Sequence, residues 1–138
     1  MKKLQNFING KSVDGASGET TTLINPSTGE AFATAPKSNA ADIDKAMKAA
    51  SDAFPGWRDS TPSERQRALL KIADAIEARA DEFVELESEN CGKPKSLTAS
   101  EEMPPMVDQI RFFAGAARNL EGRSAGEYMH GMTSYVRR

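Results

Sequence analysis

Cys91 is the only cysteine in the chain, and it stands directly before Gly92-Lys93 in the stretch "ESENCGKPKS". Two chemistries are open to such residues: attack by a thiolate, or cradling of a phosphate. A cysteine nucleophile needs its pKa depressed by a nearby base or by a helix N-terminus. Cys91 falls instead at the C-terminal end of a predicted helix, where the dipole disfavours a thiolate. The sole histidine, His130, is far away in sequence. Cys91 is therefore assigned a structural role. A phosphate loop requires G-x-x-x-x-G-K-[ST], so that successive backbone N–H groups wrap the anion. Pro94 follows Lys93 and brings neither an N–H nor a hydroxyl, and the five residues before Gly92 include no glycine. Gly10-Lys11-Ser12 fails too, because Gln5 stands where the upstream glycine belongs. Gly92 is better explained as the left-handed end of a helix that Pro94 keeps from resuming.

The remaining candidates are weaker. His130, between Met129 and Gly131, has no second histidine to share a metal with and is read as a surface residue. Trp57 follows Pro55-Gly56 and is expected to pack over a helix end. Glu77, Asp81, Glu85 and Glu89 recur every four residues, the pattern of a solvated helix face. There is no G-x-G-x-x-G. The residues alone supply no complete active site.

The elements that carry these residues are readable in outline. Asn9-Gly10 lies between short apolar pieces and takes positive φ readily, as a two-residue hairpin turn needs. Thr20 to Ile24, the turn "NPSTGE" and Ala31 to Ala35 predict a second hairpin. Three helical stretches follow. Asn39 caps the first, whose stripe is Ile43, Ala46, Met47, Ala50 and Phe54 and which Pro55-Gly56 should stop. The second opens on "TPSE", with Thr61 as N-cap and Glu64 closing a capping box. Its stripe is Leu69, Ile72, Ala73, Ile76, Ala80 and Phe83, and Asp81 is a candidate cap for another helix before Asn90. The third should begin near Pro105, show Met106, Ile110, Phe113, Ala117 and Leu120 on one face, and end at Gly122. A strand is expected from Thr133, with no partner in view.

The chain has 138 residues, 38% hydrophobic and 28% charged, with 18 basic against 20 acidic side chains and a net charge of -2. That balance argues against nucleic-acid binding through a basic face. A single cysteine makes no internal disulfide and points to a reducing, cytoplasmic setting. The lysines of "MKKLQNFING" precede no apolar core, so no signal peptide is expected, and no apolar run is long enough for a membrane span.

The order of the motifs says more than any one of them. "FINGKSV", "INPSTGEAFATAP", "AFPGW", "PSERQRALLKIADAIEARADEFVELESENCGKP", "RFFAGAARNLEG" and "SYVRR" together resemble the opening of an NAD(P)-dependent aldehyde dehydrogenase, from Asn6 to Arg138. "GEYMHGMTSYVRR" is similar to the subgroup acting on aminobutyraldehyde and betaine aldehyde. The resemblance implies an α/β fold: β-hairpins, three or four helices and a terminal strand from the N-terminal part of a Rossmann-like cofactor domain. Residues 1–121 would flank that domain. Residues 122–138 would enter a bridging segment that builds homodimers and homotetramers.

In this family a cysteine attacks the aldehyde, an asparagine and a backbone N–H hold the oxyanion, and a glutamate-activated water hydrolyses the thioester after hydride passes to NAD or NADP. The nucleophile usually lies in a G-Q-x-C setting, which "ENCGKP" does not match, so no catalytic or cofactor-binding residue is expected in this stretch. One site carries over. Members often bind K+ or Na+ near the first strands through backbone carbonyls and an acidic residue before G-K-P. The matching positions are Ile24, through its carbonyl, and Asn90, where aspartate is common; the lost charge should weaken binding. Ala116 departs from a position that is usually aromatic.

The expectation is therefore the front portion of an enzyme whose small aldehyde substrate is turned over by groups further along, with the 138-residue chain inactive alone. Its apolar stripes, short of their sheet, should unfold without a sharp transition. The rival readings are a stand-alone helical interaction module and a regulatory truncated paralogue. Continuation of the reading frame beyond Arg138 would separate them from the first.

Overall fold

A computed structural model describes residues 1–119 and 121–135. The chain opens with β1 (Lys2–Lys3), β2 (Asn6–Ile8), β3 (Lys11–Val13), β4 (Thr20–Ile24) and β5 (Ala31–Pro36). Both hairpins form as their turns demand. Asn9 and Gly10 have φ of 53° and 73°, the two positive values that let β2 and β3 pair across a two-residue turn. In the second hairpin β4 runs antiparallel to β5, with Gly29 at φ 75° in the turn. The N-terminus adds a strand that nothing in its composition signals: β1 lies parallel to β5, so this sheet has the order β1-β5-β4.

The helices are α1 (Ala40–Arg58), α2 (Pro62–Glu77), α3 (Ala80–Cys91), the short α4 (Lys95–Leu97) and α5 (Met103–Ala116). A π-helical turn, Thr98–Glu102, joins the last two. Asn39 caps α1 as expected, its side chain accepting from the N–H groups of Ala41 and Asp42. Pro55-Gly56 does not stop α1. Proline removes one ladder hydrogen bond but keeps a helical φ, and the turn beyond it closes when the Asp59 N–H donates to the Pro55 carbonyl at 3.1 Å. Trp57 is thus inside the helix and half exposed rather than folded over its end.

The break between α2 and α3 falls at Ala78-Arg79, two residues before Asp81, which lies in the first turn of α3. Arg79, not Asp81, takes the N-cap position, and it pairs with Glu82 at 2.7 Å. α5 starts at Met103 and ends at Ala116, so Gly122 is not its terminator; Leu120 lies outside the described residues. Its buried face is Met103, Val107 and Ala114, while Phe113 is 61% exposed. The helix is apolar on more than one side, and the face with Met103, Val107 and Ala114 is the one that is buried. The strand at Thr133 does have a partner. β6 (Ser124–Met129) and β7 (Met132–Tyr135) form an antiparallel hairpin that turns at His130-Gly131, with Gly131 at φ 78°.

α2 and α5 are tied together outside their packed faces by Arg111, whose guanidinium meets Glu77 at 2.6 Å and Asp74 at 2.9 Å. Ala73 and Ala114 are fully buried on these two helices, yet among the described residues no large side chain is. Ile43, Met47, Phe54, Phe112 and Phe113 are all more than half exposed.

The α2 cap is the expected one. Glu64 accepts from the Thr61 N–H at 2.6 Å and from its hydroxyl at 2.8 Å, and the Thr61 oxygen accepts from the Glu64 N–H. The backbone donor first, then the hydroxyl, hold the Glu64 carboxyl below its ordinary value of 4.5. A depressed pKa stabilises the fold fully above the unfolded value and loses that contribution as pH falls through the folded one. Amide exchange at the start of α2 should therefore be faster in Glu64→Gln than in the parent near neutral pH. The gap should close as the medium is acidified below 4.5.

Candidate functional site

Where α3 ends, the helix meets the first sheet. Gly92 closes α3 at φ 74°, and its N–H donates to the Ser88 carbonyl at 2.9 Å. Only a glycine lets the chain come this near the β4–β5 turn: a Cβ on Gly92 would stand 2.9 Å from Pro26 Cγ. Lys2 of β1 reaches across to Glu89 at 2.8 Å. Between sheet and helix lies a cleft of about 340 Å³, lined by Leu4, Leu23, Phe32, Leu86 and Asn90 among others. A second, more polar cleft of about 430 Å³ lies beside it, where Asn25 and Ser27 face Ser88 and Glu89.

The carried-over cation positions sit at this junction but do not line one cavity. Asn90 is exposed in the last turn of α3 and borders the first cleft. Its amide nitrogen donates to Cys91 Sγ at 3.6 Å. Ile24 is 50% exposed at the end of β4, where the register to β5 shifts; its neighbour Leu23, not Ile24, shares the cleft with Asn90. Carbonyl and amide oxygens are hard donors suited to a monovalent cation. Among the described residues no group of three or more His, Cys, Asp or Glu could hold a metal ion.

The other candidates separate. Cys91 is exposed at the C-terminal end of α3, and His130 occupies the β6–β7 turn. Lys93 binds protein carboxylates rather than a phosphate. Its ammonium lies 2.9 Å from Glu102 and 3.1 Å from Glu87, and those carboxylates, Glu102 before Glu87, raise its pKa above the ordinary lysine value. It thereby fastens the π-helical turn to α3. The four-residue row of carboxylates is also more than a solvated face: Glu77 pairs with Arg111, Glu85 with Lys95 and Glu89 with Lys2. The Lys93 bridge was the functional-looking lysine that sequence reasoning left without a partner.

The described residues form β-hairpins and helices, a mixed α/β arrangement with two clefts where the first sheet meets α3. Residues 12–138 match the profile of the Aldehyde dehydrogenase family, and the chain belongs to that family. It is 39% identical over 121 residues to the 2-hydroxymuconic semialdehyde dehydrogenase of Pseudomonas sp. (strain CF600), covering 87% of this chain and 25% of that protein. It is also 39% identical over 114 residues to the human 2-aminomuconic semialdehyde dehydrogenase, covering 83% of this chain and 23% of that one. The NAD-dependent aldehyde dehydrogenase from Sinorhizobium meliloti superposes with a TM-score of 0.87 at 36% identity, over 96% of this chain and 27% of that structure. The NAD+ complex of a Bacillus cereus aldehyde dehydrogenase gives 0.89 at 30% identity, over 97% and 28%. The chain thus spans about a quarter of the length of the curated relatives it matches. The fold is consistent with an N-terminal fragment of aldehyde dehydrogenases, which are NAD(P)-dependent oxidoreductases.

Proposed function

We propose that the chain is the N-terminal portion of an NAD-linked aldehyde dehydrogenase that oxidises an aminoaldehyde such as 4-aminobutanal to the carboxylic acid through a cysteine thioester. The observation that supports the family and the cofactor is the match to an NAD+-bound family structure along 97% of the chain; the aminoaldehyde rests on the resemblance of "GEYMHGMTSYVRR" to that subgroup. Residues 1–121 brace the cofactor domain, and residues 122–138 enter the bridging segment of a cytoplasmic homodimer or homotetramer. Ile24 and Asn90 lend oxygens to K+ or Na+, with Asn90 giving a weaker hold than an aspartate would. NADP replaces NAD only if the cofactor pocket outside this stretch admits the extra phosphate. A second reading of the substrate, a muconic semialdehyde, is favoured by the names of the two curated relatives.

The chain alone has nothing to run this chemistry. Purified and mixed with NAD and 4-aminobutanal, it should form no NADH above background. Joined to the complementary three-quarters of the Sinorhizobium meliloti enzyme, it should restore NADH formation from an aldehyde. A soluble chimera that binds NAD but never turns over would defeat the proposal. In the longer enzyme, a higher kcat/KM for 2-hydroxymuconic semialdehyde than for 4-aminobutanal would decide for the second substrate.

A further inference from the structure

Asn9 is the one asparagine in the chain that a glycine follows. The Gly10 nitrogen and Asn9 Cγ can close a cyclic imide, and glycine has no side chain to hinder the closure. The surroundings leave that reaction open. Asn9 and Gly10 are both exposed at the tip of the β2–β3 turn. A Cβ added at Gly10 would meet nothing within 4 Å, and no hydrogen bond holds the Asn9 side chain among the described residues. The comparable sites are shut. Asn25 precedes Pro26, whose nitrogen has no hydrogen to lose. The Asn39 side-chain oxygen is taken by the Ala41 and Asp42 N–H groups at 3.0 and 3.3 Å. Asp14-Gly15 has the right order of atoms, but Lys3 and Gln5 hold the Asp14 carboxylate at 2.9 and 2.8 Å. A Cβ on Gly15 would stand 2.9 Å from Pro36 Cβ, so the backbone there is packed in place.

The closed turn is not itself the reactive geometry. With φ of 53° and 73° both residues sit in the left-handed region, and the Gly10 nitrogen must swing away from it to reach Cγ. The hairpin that has to open is small. β2 and β3 form a two-stranded sheet by themselves, through the pairs Asn6↔Val13, Phe7↔Ser12 and Ile8↔Lys11. A lone two-stranded hairpin is marginal in water and opens readily. We infer that Asn9 is a spontaneous modification site, converted from the opened hairpin to aspartate and isoaspartate. The deprotonated Gly10 nitrogen bonds to Asn9 Cγ, the bond from Cγ to the side-chain nitrogen breaks, and ammonia leaves. Water then opens the imide on either side of the Gly10 nitrogen. Breaking its bond to Cγ restores the ordinary backbone with an aspartate. Breaking its bond to the Asn9 backbone carbonyl carries the chain through Cβ and Cγ as isoaspartate, one methylene longer. The two products act differently on the fold. Asp-Gly still takes the positive φ values of the turn. The longer backbone cannot keep Ile8 opposite Lys11 across two turn residues. That loss runs down the ladder to Asn6, whose side-chain oxygen accepts from Ser38 Oγ at 2.9 Å, next to the α1 cap.

Trypsin releases Asn9 within the peptide of residues 4–11. Mass spectrometry after incubation of the chain in mildly alkaline buffer therefore reads the exchange of NH2 for OH residue by residue. Product should build up at Asn9 before any at Asn6, Asn39 or Asn90. It should form more slowly than in the free peptide 4–11, and urea should bring the two rates together. Gly10→Ala should slow the reaction severalfold. Its alanine strains the turn and loosens the hairpin, so the slowing comes from hindered ring closure and not from a tighter fold. In the purified isoaspartate form, amide protection across β2 and β3 should be lost, whereas Asn9→Asp should keep it. An Asn9 left intact after the free peptide has converted overturns the inference, as does product spread evenly over the asparagines. A chain that reacts as fast as the peptide without urea overturns hairpin opening as the controlling step.

Discussion

Gly92→Ala is expected to open the end of α3, lowering local stability there by about 2–4 kcal/mol. Two costs add. An alanine at φ 74° pays for the left-handed conformation, about 1–2 kcal/mol. Its Cβ then stands 2.9 Å from Pro26 Cγ and 3.5 Å from Ser27 Oγ. The proline ring is not a flexible side-chain tip, so the β4–β5 turn has to move. Amide exchange is the suitable measurement, because it reports opening segment by segment. Protection should fall in the last turn of α3 and across the β4–β5 turn together, while α5 is little changed. Gly56→Ala is the control. Gly56 lies inside α1 with nothing within 4 Å of an added Cβ, so alanine there should gain up to about 1 kcal/mol of helix propensity. Unaltered protection in Gly92→Ala would mean that helix and turn do not approach as described.

That junction also shows how far the residues speak for themselves. Gly92 was legible because a left-handed helix end has few solutions, and glycine followed by proline names one. Asn9-Gly10 and the Thr61–Glu64 box were legible for the same reason: each is a local hydrogen-bonding or φ requirement that neighbouring residues alone satisfy. The misses are questions of what lies opposite. Which face of α5 is buried depends on the helix packed against it, α2, and no spacing within α5 contains that. Lys93 finds Glu102 nine residues on only because the π-helical turn folds the chain back. The partner of Thr133 was overlooked because the residues before His130 lack a clear alternation, although Gly131 is ordinary turn chemistry. The cation positions fall between these cases. Family spacing names Ile24 and Asn90, and the Gly92–Pro26 approach brings their elements together, but the cleft that Asn90 borders takes in Leu23 instead of Ile24.

The second large effect should come from Asp42, whose carboxylate is 3% exposed and joins three parts of the chain. Both oxygens accept the Ala16 N–H, at 2.9 and 3.1 Å, and one accepts the Asn39 N–H at 3.0 Å. Ala16 belongs to the link between β3 and β4; Asn39 is the cap of α1. The negative charge also lies in the first turn of the helix, where the dipole favours it. Asp42→Ala leaves two N–H groups without their acceptor. At about 1–3 kcal/mol for each unsatisfied donor, the loss should reach about 3 kcal/mol. Asp42→Asn keeps the shape and one oxygen but turns an NH2 toward a donor, so it should fall between the parent and alanine. Asn39→Ala, a lost cap, should cost about 1 kcal/mol. The two alanine changes should sum to more than the double variant loses, because they dismantle the same box. Exchange protection in α1 and in the β3–β4 link should drop together in Asp42→Ala, since one carboxylate holds both. If α1 loosened while that link kept its protection, the carboxylate would be a helix cap only, and the β3–β4 link would be fastened to the helix by something else.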